Sequence, residues 1–384
     1  MRKLFLLLFS IITCATLQAQ EDDRQSEDTT SANECSHASL DLGTNHGGIS
    51  FGNSTRWYGL RINFADCDLD QINGINITFW KPDDNPGGEI NGVALGLLPS
   101  ASTINGVSLG LGGVQGGKGL NGISIGGLAV VSQGHISGLN LGGLAVVAEG
   151  NIKGINLGGL AVVSNKSLKG INLGGLALVS QKSIWGLNFG GLAVVSQGEL
   201  LGVNFSSLAL VSHGEMEGIN FGGLAAVNEK GMTGINFGGL TLVSGKSIQG
   251  INVGGLAIVA KEYVQGVNIG GLAIVAEKEI MGLNYALFAL VSHGDINGLN
   301  IAAYKVEAEN VSGVNLIMGW TDIENLQGIS VSCYNKISGV QNGLTIGLFN
   351  VAGELHGAQI GLINIAKNNK GLAKVLPIFN WHND

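Results

Sequence analysis

The chain has 384 residues, of which 64 are glycine and 12% are charged, against roughly 7% glycine and about 25% charged residues in ordinary globular domains. Its formal net charge of −8 makes nucleic acid an unsuitable partner. Small residues have taken the place of charged ones while the hydrophobic share, 45%, stays ordinary, so close backbone packing is expected in place of a heavily solvated surface.

Residues 1–19 open with Met1-Arg2-Lys3, continue through the apolar run Leu4 to Ile12, and end in the small-residue site Ala15-Thr16-Leu17-Gln18-Ala19. That order of basic start, apolar stretch and small cleavage residues predicts a secretory signal cut after Ala19. Ile11-Ile12-Thr13 lacks the small residue a lipobox places directly before its cysteine, so Cys14 is not read as a lipid anchor. Loss of Arg2 and Lys3 would take the formal charge from −8 to −10.

Residues 20–39 are acidic and polar, Glu21-Asp22-Asp23 and Glu27-Asp28 among them, and carry too little apolar surface to order themselves; they predict a flexible tether. From 40 to 104 come irregular strand signals at Trp57 to Phe64, Ile72 to Trp80 and Gly92 to Leu98, separated by turn clusters. This segment is expected to be an irregular β cap that shields the first open edge of the repeat array. In an oxidising compartment Cys35 and Cys67 can form a disulfide that staples it, leaving Cys333 as a buried thiol in a strand; three unpaired thiols are the alternative.

Residues 105–312 repeat one phrase, seen plainly from Gly154 through Ile155, Asn156, Leu157, Gly158, Gly159, Leu160, Ala161, Val162 and Val163 to Ser164. Its lead glycine recurs every 16 residues at Gly106, Gly122, Gly138, Gly154, Gly170, Gly186, Gly202, Gly218, Gly234, Gly250, Gly266, Gly282 and Gly298. A fixed short period means one supersecondary unit stacked on copies of itself. Ile155 and Leu157 alternate with glycine and asparagine, the period-2 sign of a half-buried strand. A second apolar run from Leu160 to Val163 follows the double glycine, and polar residues gather at Ser164-Asn165-Lys166-Ser167. Ser206-Ser207 and Ala302-Ala303 stand where other repeats have Gly-Gly, so that corner demands small size more than positive φ.

Two all-β architectures fit such a period. In a β-solenoid with one 16-residue coil per repeat, each side chain lies about 4.8 Å above its counterpart, and identical asparagines form hydrogen-bonded ladders. Asn140, Asn156, Asn172, Asn188, Asn204, Asn220, Asn236, Asn252, Asn268, Asn284 and Asn300 hold the same place and are the expected ladder. The alternative is a transmembrane antiparallel barrel with one strand per repeat. The uncharged run in each repeat, Gly154 to Asn165 for example, exceeds the roughly 9–11 residues a strand needs to cross a bilayer. Strict sameness, the missing 32-residue rhythm and the missing aromatic girdles favour the solenoid. A solenoid must leave an apolar row outside, such as Ala161 and Val163, so contact with a membrane, a surface partner or another copy is expected.

Residues 313–384 hold looser repeats led by Gly313, Gly328, Gly343 and Gly357, then a trailing cap ending Val375-Leu376-Pro377-Ile378-Phe379-Asn380-Trp381. The phrase Gly-Ile/Leu-Asn-Leu/Phe-Gly-Gly-Leu-Ala-Val-Val, the variant Gly347-Leu348-Phe349-Asn350-Val351-Ala352 and this closing motif together resemble the bacterial surface repeat-containing family named from a Leptospira locus, over about residues 57–384. The resemblance implies export to the outer membrane or cell surface of a Gram-negative bacterium, with the periplasm as alternative. It implies no activity, catalytic residue or cofactor. The ending His382-Asn383-Asp384 departs from a terminal aromatic residue, which weakens any reading of the last strand as a barrel-assembly signal.

Candidate chemistry is sparse. Ser212-His213-Gly214-Glu215 and Ser292-His293-Gly294-Asp295 bring serine, histidine and a carboxylate together, but in the polar corner that sister repeats fill with lysine or glutamine, so turn residues are expected. Asp66, Asp68, Asp70, Asp83, Asp84 and Glu89 offer oxygen ligands without a calcium-loop spacing. No catalytic, metal or cofactor site is assigned. The expected function is an exported, non-enzymatic scaffold or binding surface of the envelope, with a membrane barrel as the alternative.

Overall fold

Glycine every few residues removes any stable helix, and short alternating runs leave strands as the only regular element. The computed structural model describes residues 37–80 and 87–382. The signal segment, the tether as far as residue 36, Cys35, Asp83 and Asp84 lie outside the described residues. Within them the chain is a β-solenoid of about 19 coils, with one short 3₁₀ turn at Gly371–Lys374.

Each regular coil contains two strands, a longer one such as Ile152–Gly158 and a shorter one such as Ala161–Ser164. Longer strands pair in parallel with longer ones, Gly154 with Gly138 on one side and Gly170 on the other. Shorter strands pair with shorter ones in the same way, Val162 lying between Val146 and Leu178. The register is therefore the sequence period itself. Like lies on like throughout, and the barrel alternative fails because neighbouring repeats run parallel and each repeat supplies two strands.

The lead glycine has a structural reason beyond size. Gly154 sits at φ 106° in mid-strand, and an added Cβ would lie 2.1 Å from the carbonyl oxygen of Gly138 in the preceding coil. Only glycine adopts that conformation freely. At the corner the case differs: Gly159 has no positive φ, yet a Cβ there would lie 1.9 Å from the Gly143 oxygen. Close approach governs the corner, in line with the serine and alanine substitutes.

Two sheets enclose a thin core. Ile152 and Leu168 point inward from the longer strands, Val162 and Leu178 from the shorter ones, all fully buried. Each such aliphatic side chain contributes about 1.5–3 kcal/mol against exposure, before chain entropy is counted.

Parallel coiling begins earlier than residue 105. Arg56–Asn63, Gln71–Thr78 and Glu89–Gly96 already stack in register, with Gly59, Gly74, Gly92 and Gly106 aligned. Their irregular look in the sequence comes from uneven connections, not from different geometry. The leading cap proper is a hairpin: Ser39–Thr44 turns through Asn45 and His46, both at positive φ, and pairs antiparallel with Gly47–Gly52. At the far end Val375–His382 folds back antiparallel on Phe349–Ala366. Cys333 is a correction: it lies exposed in a bend between Trp320–Val331 and Tyr334–Ile346, because the chain turns a corner there, and its thiol is free. Cys67 is disulfide-bonded, and its partner lies outside the described residues.

Gly202→Ala should destabilise the protein by at least about 1–3 kcal/mol, the usual cost of a strained backbone conformation. Lys166→Ala, at an exposed corner, should stay within about 0.5 kcal/mol. Thermal melting of the two variants beside the parent chain checks this.

Candidate interaction surface

Alternation along the longer strand decides which residues a partner can meet. Asn156 faces the core and is fully buried, while Ile155 is 42% exposed. Polar inside and apolar outside reverses the usual arrangement, and the period-2 pattern alone does not reveal it. The physical reason is stacking: a primary amide inside the stack can donate to the coil on one side and accept from the coil on the other, whereas an outward one gains nothing over water.

All eleven ladder asparagines from Asn140 to Asn300 stand in this inner column. Asn140 Nδ2 donates to Asn156 Oδ1 at 2.8 Å, Asn156 to Asn172 at 2.9 Å, Asn172 to Asn188 at 2.8 Å, and the chain of bonds runs on to Asn284, which donates to Asn300 at 2.7 Å. Asn300 then donates to Asn315 at 2.8 Å, one coil past the regular period. Toward the start the same column is held by Ser124, Ser108, Ala94, Asn76 and Arg61. The Arg61 guanidinium is buried against Asp66, and it also donates to Asn76 Oδ1 at 2.8 Å and Asn53 Oδ1 at 2.6 Å.

A second inner row escaped sequence reasoning. Ser164 Oγ donates to the Gly150 oxygen at 2.7 Å, Ser196 to Lys182 at 2.8 Å and Ser212 to Gly198 at 2.7 Å, each pinning the polar corner of the preceding coil. Serine at this place in most repeats, with Ala148, Asn228, Ala260 and Ala276 in the others, was the available signal. A third ladder, on the outside of the early coils, links Asn105 to Asn91 at 2.8 Å and Asn121 to Asn105 at 2.9 Å. In the last coils the amides change column: Asn335 donates to Asn350 at 2.8 Å and Asn350 to Asn364 at 2.7 Å, from the second sheet.

The same bonds place the candidate residues. Ser212 is buried and its hydroxyl is committed to backbone oxygens, while His213 points outward, 3.7 Å from Glu229. The two groups are not aligned as nucleophile and base. Ser292 likewise donates to the Lys278 oxygen, at 3.2 Å. Asp66 is enclosed by Arg61, Asn63, Asn76 and Thr78; Asp70 pairs with Arg56 at 2.6 Å and Asp68 faces His37 at 3.7 Å. Among the described residues no group of three or more histidine, cysteine, aspartate or glutamate side chains is placed to hold a metal ion.

The outer surface presents a band. The rows of Ile155, Leu157 and Leu160 face outward and contain no charge from Leu128 to Ile301. The expected outward row of Ala161 and Val163 is there too, half-buried on the other sheet. Phenylalanines stack within the Leu157 row: Phe205 on Phe221 at 4.8 Å and Phe221 on Phe237 at 4.6 Å between ring centres, with their ring planes nearly parallel. Along this row, from Ile125 to Phe205, the double glycines form the floor of a groove of about 610 Å³, lined also by Leu141, Leu157, Leu173 and Phe189. Lys153, Lys169 and Glu217 stand outward at the start of the longer strand, in the row beside Ile155, and most other charges of the array gather at the corner on the other side of the shorter strand. There Lys278 reaches Glu262 at 3.1 Å, and the hydrogen bond and charge of that carboxylate hold the lysine above its usual range. The coil is thus amphipathic from edge to edge.

No protein-family model, curated protein or solved structure matches this chain.

Replacing one rung of the inner ladder orphans both neighbours. Asn188→Ala should cost about 2–5 kcal/mol, since the Asn172 amide loses its acceptor and Asn204 its donor. Asn188→Asp adds a sign test. Burial disfavours the ionised carboxyl and raises its folded pKa above about 3.9, the unfolded value. The variant's deficit should be smallest below about pH 3.9 and grow as the pH rises through the folded pKa toward neutrality. Melting temperatures of both variants and the parent from acid to neutral pH decide it.

Proposed function

We propose that the protein is an exported, non-enzymatic envelope protein of a Gram-negative bacterium, a rigid scaffold that works through its flat outer faces. The observation that carries the reading is the uncharged outward band, continuous over the regular coils and opposed to a charged corner. Monomeric proteins rarely leave contiguous apolar patches beyond roughly 300–600 Å², and a larger one marks a surface meant for contact. The signal pattern of residues 1–19 supports passage across the inner membrane, and the resemblance to the bacterial surface repeat family supports an outer-membrane or cell-surface setting.

A non-enzymatic role is supported by how the polar groups are used. Asparagine and serine side chains are spent on inter-coil bonds, and the histidines of the two Ser-His-Gly-acid turns stand apart from their serines in function.

Fractionation of cells producing the full chain tests export. The mature protein should begin at Gln20 and appear in the envelope or external fraction. An uncleaved chain in the cytoplasmic fraction overturns the proposal.

A further inference from the structure

We infer that the apolar band is the interface of a homodimer, in which two copies pack side by side with their coil axes parallel. Taking about 4.8 Å per coil and about 3.3 Å per residue along a strand, the strip between the Ile155 and Leu160 rows covers on the order of 1,000 Å² from Gly106 to Gly298. A stable interface of standard size needs about 800 Å² from each partner. The strip alone is large enough.

Its relief is self-complementary. The leucine row, with Leu160 46% and Leu192 44% exposed, stands directly beside the glycine-floored groove. An isologous interface requires one surface to carry both the projection and its receptor. A twofold axis parallel to the coil axis seats each leucine row in the partner's groove and brings equivalent coils side by side. A twofold axis across the coils would set leucine row against leucine row and leave both grooves empty.

Charge separates this occupant from a lipid surface. Between residues 105 and 300 there are nine lysines and nine carboxylates, and none stands in the Ile155, Leu157 or Leu160 rows. Pairing two copies there buries no unpaired ion. Membrane-lying surfaces couple an apolar face to a flank rich in cations that meet anionic headgroups, whereas the array that carries this band has equal numbers of lysines and carboxylates, and the row flanking Ile155 mixes Lys153 and Lys169 with Glu217. Residues 20–36, rich in aspartate and glutamate, offer no apolar row to cover the band in cis.

The inference concerns association in solution and does not depend on where the protein is exported, so fractionation of cells and measurement of the dimer fail separately. Light scattering on the full chain in detergent-free buffer at micromolar concentration should give twice the monomer mass. Leu160→Glu, Leu192→Glu and Leu224→Glu combined, all at exposed positions, should weaken association at least about 100-fold with an unchanged β circular-dichroism spectrum. Lys166→Glu with Lys182→Glu, on the charged corner, should leave the dimer intact. In a Cys333→Ser background, Leu128→Cys and Leu272→Cys should each cross-link to its own counterpart under mild oxidation. A monomeric parent chain, a dimer that survives the three glutamates or is lost with the corner variant, cross-linking of Leu128→Cys only to Leu272→Cys, or a monomer that floats with anionic vesicles would each overturn the inference.

Discussion

A buried primary amide has nowhere to turn but up and down the stack. Each Asn in the inner column is cut off from water, and its hydrogen bonds to the neighbouring coils measure 2.7–2.9 Å from Asn140 to Asn300. Left alone, such a group would cost several kcal/mol. That penalty falls on every register but one: sliding a coil by a single residue would put Ile155 inside and the amide outside, and would move the lead glycines off the carbonyls they approach so closely. Specificity of stacking and stability of the core therefore rest on the same column. The aliphatic residues around it, Ile152 and Val162 in one coil, supply burial without choosing a register.

The inverted strand follows from coil size. Two sheets joined by tight corners leave a thin interior, and one aliphatic side chain per strand with an amide and a hydroxyl fill it. The remaining large side chains have only the outside. In a globular domain the amphipathic pattern reports burial directly; here both rows of the longer strand are regular, and the amide row wins the interior because ladder bonds reward identity from coil to coil. The outward residues are only about 40% exposed even so, because each is flanked by its copies above and below.

Much of this architecture was legible in the residues. The 16-residue spacing named the coil, the constant place of Asn140 through Asn300 named the ladder positions, and Ser206 and Ala302 revealed that the corner asks for small size. What could not be read has physical causes. Period 2 separates two faces without saying which is inside, so Ile155 and Leu157 gave no warning that they face out. The early coils were hidden by uneven connections, since hydrogen bonding aligns Gly59, Gly74 and Gly92 whatever length of chain joins them. In the inner column the change from asparagine to Ser124, Ser108 and Arg61, with Ala94 standing between Ser108 and Asn76, conceals one continuous column that only spatial stacking restores. Cys333 looked like a strand residue because strands lie on both sides of it within two residues.

The ends and the sides of the stack are treated differently, and the contrast bears on how copies meet. A parallel stack invites indefinite lengthwise growth, since its terminal strands offer unpaired backbone groups to the next molecule. Both ends of the described stack are turned back by antiparallel strands, and the last of these carries Pro377, which has no N–H, next to Ile378 at φ 69°. Those features break the flat template that another chain would extend. Along the sides nothing comparable intervenes: no charge, proline or bulge interrupts the Ile155, Leu157 and Leu160 rows across the regular coils. Lengthwise association is opposed at the backbone, while lateral contact is left to the side chains. The period that builds the coil thus also fixes the one direction in which a second surface can be added without disturbing it.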